Sequence, residues 1–276
     1  MDMKKFSFAL IAAAAFIMAS CGNKQKAEEV ANDSTETFEE KQIKAGMNAQ
    51  LDSLTNLWMQ IKRREIFDVD PDNKIVISAE EKKVAPDYLY TPDKLKGKLE
   101  TLSAKYRALV VFSIDQQVGT LYGMNDVWSS AIEKLGAEVN DPVMKLVQDG
   151  EIDFDDENHI AVNEKVYKTE EEAGRANHFW ETCAAAIVEQ TYLLSVNQDK
   201  LLAHLTDEDA EKLTFRIILL NDAYENLAEY NPQLMQLLSV LQPLSKLNAI
   251  TVDQLREQLN ESKEEIAQAR KSLFEF

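Results

Sequence analysis

The stretch "DFDDENHIAV", residues 153–162, decides how the fold is read, because its acids fit two architectures. An earlier stretch, "DVDPDNKIVI" at residues 68–77, repeats the pattern. In a calcium loop, oxygen ligands fall at positions 1, 3, 5, 7, 9 and 12, with an apolar residue at 8. Counted from Asp153, the later stretch supplies Asp155 and Glu157, then Asn158 at position 6, Ile160 at 8 and Glu164 at 12. Counted from Asp68, the earlier one ends on Ala79, which cannot ligate. Gly150 stands where a helix should run into the later loop, and Ile152 and Phe154 alternate with the acids as strand residues do. The segments "DPDN" (70–73) and "DDEN" (155–158) match a type I turn with Asn in the left-handed position of a one-residue bulge. That arrangement accounts for the acids, the Asn and the flanking apolar residues together. The sequence therefore predicts two small β-hairpins, near 66–78 and 152–163. No cofactor is the first expectation; calcium at Asp153, Asp155, Glu157 and Glu164 is the alternative.

Outward from these turns the chain reads as helix. Helices are expected at about 39–65, 92–122, 125–137, 142–148, 169–198, 207–230, 232–247 and 251–274. Thr91-Pro92, Asp141-Pro142 and Asn231-Pro232 each set an N-cap before a proline at the first helical position. Thr169 with Glu172 and Thr251 with Gln254 have capping-box spacing, and Thr206 with Asp209 is a looser version. In the first helix Met47, Leu51, Leu54, Trp58 and Ile61 step by four and three. In the last, Val252, Leu255, Leu259, Ser262, Ile266, Ala269 and Leu273 alternate by three and four, a seam expected to form one side of an intramolecular bundle. Gly119 and Gly123 suggest a close helix crossing or a kink, and "LYGMNDVW" (121–128) is a candidate groove that reads more readily as core. The fold class expected is mainly α, a multi-helix bundle with two small β-hairpins.

The first residues set the cellular address. Lys4 and Lys5 precede an apolar run from Phe6 to Ile17, too short for a membrane-spanning helix of roughly 20 residues. The following "MASC" (18–21) resembles the lipobox of bacterial lipoproteins. The resemblance implies cleavage before Cys21, lipid on its sulfur and a second anchor at its new amino group, a combination that holds a protein on a membrane without spanning it. With Gly22 next, it further implies the outer membrane of a Gram-negative bacterium. Residues 1–20 are then signal peptide and 21–40, polar with almost no large apolar residue, a disordered tether. Residues 41–276 form a helical domain. The chain carries a formal charge of −18, and loss of the signal, with its two lysines and one aspartate, makes this −19. Such a surface repels phosphate backbones, so nucleic acid is not an expected partner. The expected partners are the membrane, through the lipid, and an unidentified protein or glycan. Cys183, in "ETCAAAIVEQ", is the one cysteine left after lipidation and reads as a buried thiol.

"NHFWE" (177–181) places His178 and Glu181 on one helical face, a spacing that can hold a metal. It resembles the GxHxxE motif of imelysin-like periplasmic proteins, with Ala176 where that motif has glycine. The resemblance implies a metal site at His178 and Glu181. The chain contains no HExxH, phosphate-binding glycine loop, GxSxG or paired cysteines. These observations lead to a lipid-anchored envelope protein acting as a binding or scaffolding module, not an enzyme. The alternative is a metal-binding lipoprotein.

Overall fold

The computed structural model describes residues 75–124, 126–153, 158–228 and 234–276, together with Asn56. The helices are α1 (Leu102–Leu121), α2 (Ser129–Val139), α3 (Pro142–Gln148), α4 (His159–Glu172) and α5 (Ala176–Val196). They continue with α6 (Asp207–Ala228), α7 (Leu234–Leu241), α8 (Val252–Glu261) and α9 (Lys263–Ser272).

The centre is the pair α1 and α5, which pack along each other, with α9 along α5 and α2 against α1. Residues 106–115 of α1 and 179–191 of α5 are buried without interruption, the mark of helices surrounded on every side. The helices α6 and α7 pair beside them, and α3 packs on α4. The seam foreseen in the last helix is buried: Leu255, Leu259, Ser262, Ile266, Ala269 and Leu273 all face inward, with α8 and α9 against α5. That seam breaks into two helices at Ser262, whose φ/ψ of −102/10 leaves the helical range.

Side chains fix where the helices begin. Thr101 accepts the N–H of Ala104 at 3.1 Å and so starts α1. Asp141 Oδ1 accepts the N–H groups of Val143 and Met144 at 2.8 and 3.1 Å and starts α3. Thr206 and Asp209 form a reciprocal box, 3.2 Å from the Asp209 N–H to Thr206 Oγ1 and 2.9 Å from the Thr206 N–H back to the carboxylate. The Asn231-Pro232 cap lies outside the described residues. Pro92 opens only a 3-10 turn, Pro92–Leu95, because Gly97 at φ +79 turns the chain before α1 can begin.

Both hairpins must be corrected. Among the described residues there is no strand. The second hairpin's return strand is instead the first turn of α4. Asn158 occupies not a left-handed turn position but the helix N-terminus, its side chain accepting the N–H of Ala161 at 3.3 Å. The face that α4 buries is Asn163, Val166 and Glu170. Two of these are polar, so apolar periodicity could not betray the helix. Thr169 is accordingly mid-helix, donating to the Lys165 carbonyl at 2.7 Å, and not a cap. Of the first hairpin, residues 66–74 lie outside the described residues, as does the first expected helix but for Asn56, which is helical. Ile75 and Ile77 are buried (8% and 7% exposed) while Val76 is 72% exposed. The period-two pattern is real, but it lays a single irregular segment on helices rather than pairing two strands.

That segment, residues 75–101, is a strap with two 3-10 turns, Glu81–Lys83 and Pro92–Leu95, and no longer element. Leu89 and Leu95 are its fully buried anchors.

The small residue at 119 is explained by Trp128. A Cβ at Gly119 would stand 2.3 Å from the indole ring, which is wholly buried. Gly123, at φ +80, turns the chain out of α1. In an open helix Gly119→Ala would gain about 1 kcal/mol of helix propensity. Here the wholly buried ring would have to shift, and overpacking costs about 1–3 kcal/mol. The substitution is expected to lower the urea midpoint; a rise would show that Trp128 is loosely held.

Candidate functional site

The interior of this bundle contains charge at regular intervals. Arg107 and Asp115 lie eight residues apart on α1, and Glu181 and Glu189 eight apart on α5, so each pair spans about 12 Å along its helix. Arg107 meets Glu181 and Asp115 lies beside Glu189. The matched order makes α1 and α5 parallel.

In the first layer Arg107 Nη1 donates to Glu181 Oε2 at 2.9 Å and Ser103 Oγ donates to Oε1 at 2.9 Å. Arg107 also donates to the Phe276 main-chain oxygen at 2.8 Å, its guanidinium 4.3 Å from that residue's ring centroid. The structure does bring His178 and Glu181 together, with Nδ1 3.5 Å from Oε1. His178 stacks on Tyr106 at 4.5 Å and 14°. Yet both carboxylate oxygens of Glu181 already accept from Arg107 and Ser103, so a guanidinium holds the place where a cation would bind. No group of three or more metal-ligating side chains occurs among the described residues.

In the second layer Arg270 of α9 reaches in. Its Nε and Nη2 donate to the two oxygens of Glu189 at 2.7 and 2.6 Å, a bidentate pair. Asp115 Oδ2 lies 3.6 Å from Nη2. The guanidinium is sandwiched between the rings of Tyr90 and Tyr192, at 3.7 and 4.0 Å from their centroids. Two acids share one base here. Burial, and next the Glu189 charge, push the Asp115 carboxyl well above the ordinary carboxylate range.

What this layer holds is the strap. Arg270 Nη1 donates to the Tyr88 carbonyl at 2.7 Å, the Tyr90 N–H donates to Asp115 Oδ2 at 2.8 Å, and Trp128 Nε1 donates to the Tyr90 carbonyl at 2.7 Å. The Tyr88 hydroxyl accepts from Asn197 Nδ2 at 2.8 Å and lies 3.2 Å from the Tyr122 hydroxyl. The Tyr90 ring meets Phe274 edge-on at 5.8 Å. Leu89, between the two tyrosines, is fully buried. Every one of these contacts is made by a side chain of the body. The arrangement is a clamp on a short stretch of main chain.

A third polar centre lies between α3, α4 and α5. Glu170 is 1% exposed, and neither of its oxygens has a donor aimed at it. Its neighbour is another carboxyl, Asp141, so Glu170 must supply the shared proton itself. Burial first, then the charge of Asp141, push it up to about 9. Arg175 tempers this only in part; its guanidinium donates to the Tyr106 hydroxyl and to the carbonyls of Val139 and Asn140.

The other expected residues fall as follows. Asp153 is an exposed coil residue and Glu164 an exposed residue on α4. Asp155, Glu157 and Cys21 lie outside the described residues, as do Asp68, Asp70 and Asp72. Cys183 is buried on α5. Sequence reasoning passed over Asp115, Glu189 and Arg270, although a signal was there: a lone acid closing each of the apolar runs "ALVVFSID" and "CAAAIVE". Arg270, one residue past the buried Ala269 of the seam, gave no signal beyond that position. In comparisons with known protein families, characterised proteins and solved structures, nothing matches this chain.

Proposed function

We propose that the chain is a lipid-anchored protein of the cell envelope whose acidic helical domain is a binding or scaffolding module, held off the outer membrane by the tether that follows Cys21. One observation carries the binding role. The Asp115, Glu189 and Arg270 group, in the middle of the fold, is arranged to hold the main chain of a peptide segment. A bundle of helices needs no such group, since apolar side chains of similar volume pack helices as well or better.

The anchor is read from Lys4, Lys5, the apolar run from Phe6 to Ile17 and "MASC". Among the described residues no helix is long and apolar enough to cross a membrane, and the proposed attachment is the lipid on Cys21. In detergent phase partitioning of expressing cells, the full chain is expected in the detergent-rich phase and Cys21→Ser in the aqueous phase. Equal partitioning of the two would refute the lipid anchor.

A further inference from the structure

The strap is attached in an unusual way. Among the described residues, its backbone–backbone hydrogen bonds close on the strap itself, as in Lys82 to Ser78, Val84 to Glu81, Lys94 to Thr91 and Lys98 to Leu95. Before Thr101, which accepts the Lys105 N–H at the start of α1, none joins it to the backbone of a helix of the body, and helix interiors have no backbone groups to offer. Ahead of Thr101 its main chain is therefore bound from outside by side chains alone. Three of its polar groups, the Tyr88 carbonyl, the Tyr90 N–H and the Tyr90 carbonyl, are each met by a different side chain of the body with suitable polarity: guanidinium, carboxyl and indole. The side chains are read as well. Tyr88 is recognised at its hydroxyl, Leu89 by a closed apolar pocket, and Tyr90 by its face against Arg270 and its contact with Phe274.

Main-chain bonds for affinity and pockets for selected side chains are how peptide-recognising proteins hold a ligand. Resting on the reading of the domain as a binding module, we propose that the cleft formed by Asp115, Trp128, Asn197 and Arg270 is a peptide-binding site, for which the chain's own Tyr88-Leu89-Tyr90 is the resident occupant. The external ligand it fits is a segment of a partner protein with an aliphatic residue between two tyrosines, which enters by displacing the strap.

The ligand's chemistry follows from what the cleft now holds. Its aliphatic residue fills the Leu89 pocket, and its first tyrosine hydroxyl meets Asn197 and Tyr122. Its second aromatic face covers the guanidinium of Arg270. Departure of the strap is eased by its construction. Residues 78–85 are exposed, and Gly97, at φ +79 with nothing within 4 Å of a Cβ built on it, lies between the clamped residues and α1. The helices keep their own hydrogen bonds when the clamped residues leave, because the bonds that start α1, from Ala104 and Lys105 to Thr101, lie beyond Gly97.

The test uses the full chain in mild detergent and a fluorescent peptide of residues 85–92, "APDYLYTP", followed by anisotropy. Leu89→Gly empties the pocket of its resident side chain, and Tyr88→Phe removes only the hydroxyl contacts, so at least one variant remains folded by far-ultraviolet circular dichroism. Saturable binding at least tenfold tighter to a folded variant than to the unaltered chain is expected, with no binding of a peptide in which the leucine is replaced by aspartate. The proposal is overturned if the folded variants bind the peptide no better than the unaltered chain, or if the aspartate peptide binds equally well. Either result is independent of whether Cys21 carries lipid, so failure of the anchor and failure of the cleft are separately visible.

Discussion

Arg270→Met is expected to destabilise the protein by about 3–5 kcal/mol, the usual cost of removing one partner from a buried ionic group. The substitution keeps most of the side chain's length and apolar volume, so the loss reports on charge rather than on a cavity. Glu189 would lose both of its charge-assisted bonds and remain buried with Asp115 beside it. The Tyr88 carbonyl would lose its donor, and the rings of Tyr90 and Tyr192 the cation between them. A second variant separates fold from function. Replacing Asp115, Glu189 and Arg270 together by apolar residues removes the buried charge, a change that in other proteins is neutral or stabilising. Here the triple variant also leaves the Tyr88 carbonyl and the Tyr90 N–H unpaired, each at about 1–3 kcal/mol. It should therefore recover only part of the loss. Urea unfolding of the three proteins checks this; a single-variant loss below about 1 kcal/mol would place the group in a far wetter environment than the structure does.

Glu170→Gln is expected to act in the opposite direction, raising stability at pH 8 by a few kcal/mol. In the folded protein burial and Asp141 hold the Glu170 carboxyl up to about 9, from an ordinary value of 4.5. Below pH 4.5 the group is protonated whether the chain is folded or not, and there is no penalty. Between 4.5 and 9 the unfolded chain ionises while the folded one does not, so each pH unit costs the folded state about 1.4 kcal/mol. Stability from this group is thus fully present at low pH and is lost as the pH rises towards 9. The amide introduced by the substitution never ionises and can still donate to Asp141. The variant should match the unaltered protein near pH 5, exceed it at pH 8 and show a shallower pH dependence. Some slope should remain, because Asp115 is also held above its ordinary range by burial and by Glu189. Parallel midpoint profiles from pH 5 to 8 would mean that water reaches Glu170.

Several elements of this fold were legible in the residues, and the illegible ones share a physical cause. The α8–α9 seam could be read because every position from Leu255 to Leu273 that continues its three-four alternation is apolar or small. The caps at Asp141, Thr206 and Thr251 could be read because capping is local chemistry. The helix α4 could not, because its inward face carries Asn163 and Glu170, and the acids before Asn158 match a turn as well as a helix start. The strap's alternation at Ile75, Val76 and Ile77 was visible, but whether such a segment pairs with a strand or lies on helices is decided by residues far away in sequence. The clamp was hidden for the same reason. Asp115, Glu189 and Arg270 come from three helices up to 155 positions apart, and no local pattern links them. The ion-pair partner of Glu181 was hidden likewise, because Arg107 comes from another helix.

The helical body and the strap are separable units joined by side chains, and native-state hydrogen exchange at Tyr90 tests that most directly. Its N–H is protected by Asp115 alone. It should exchange through an opening that leaves α1 and α5 folded, at a free energy below that of their amides and with little dependence on denaturant. If Tyr90 instead exchanges only in step with the amides of α1 and α5, with the same denaturant dependence, the strap is an inseparable part of the core.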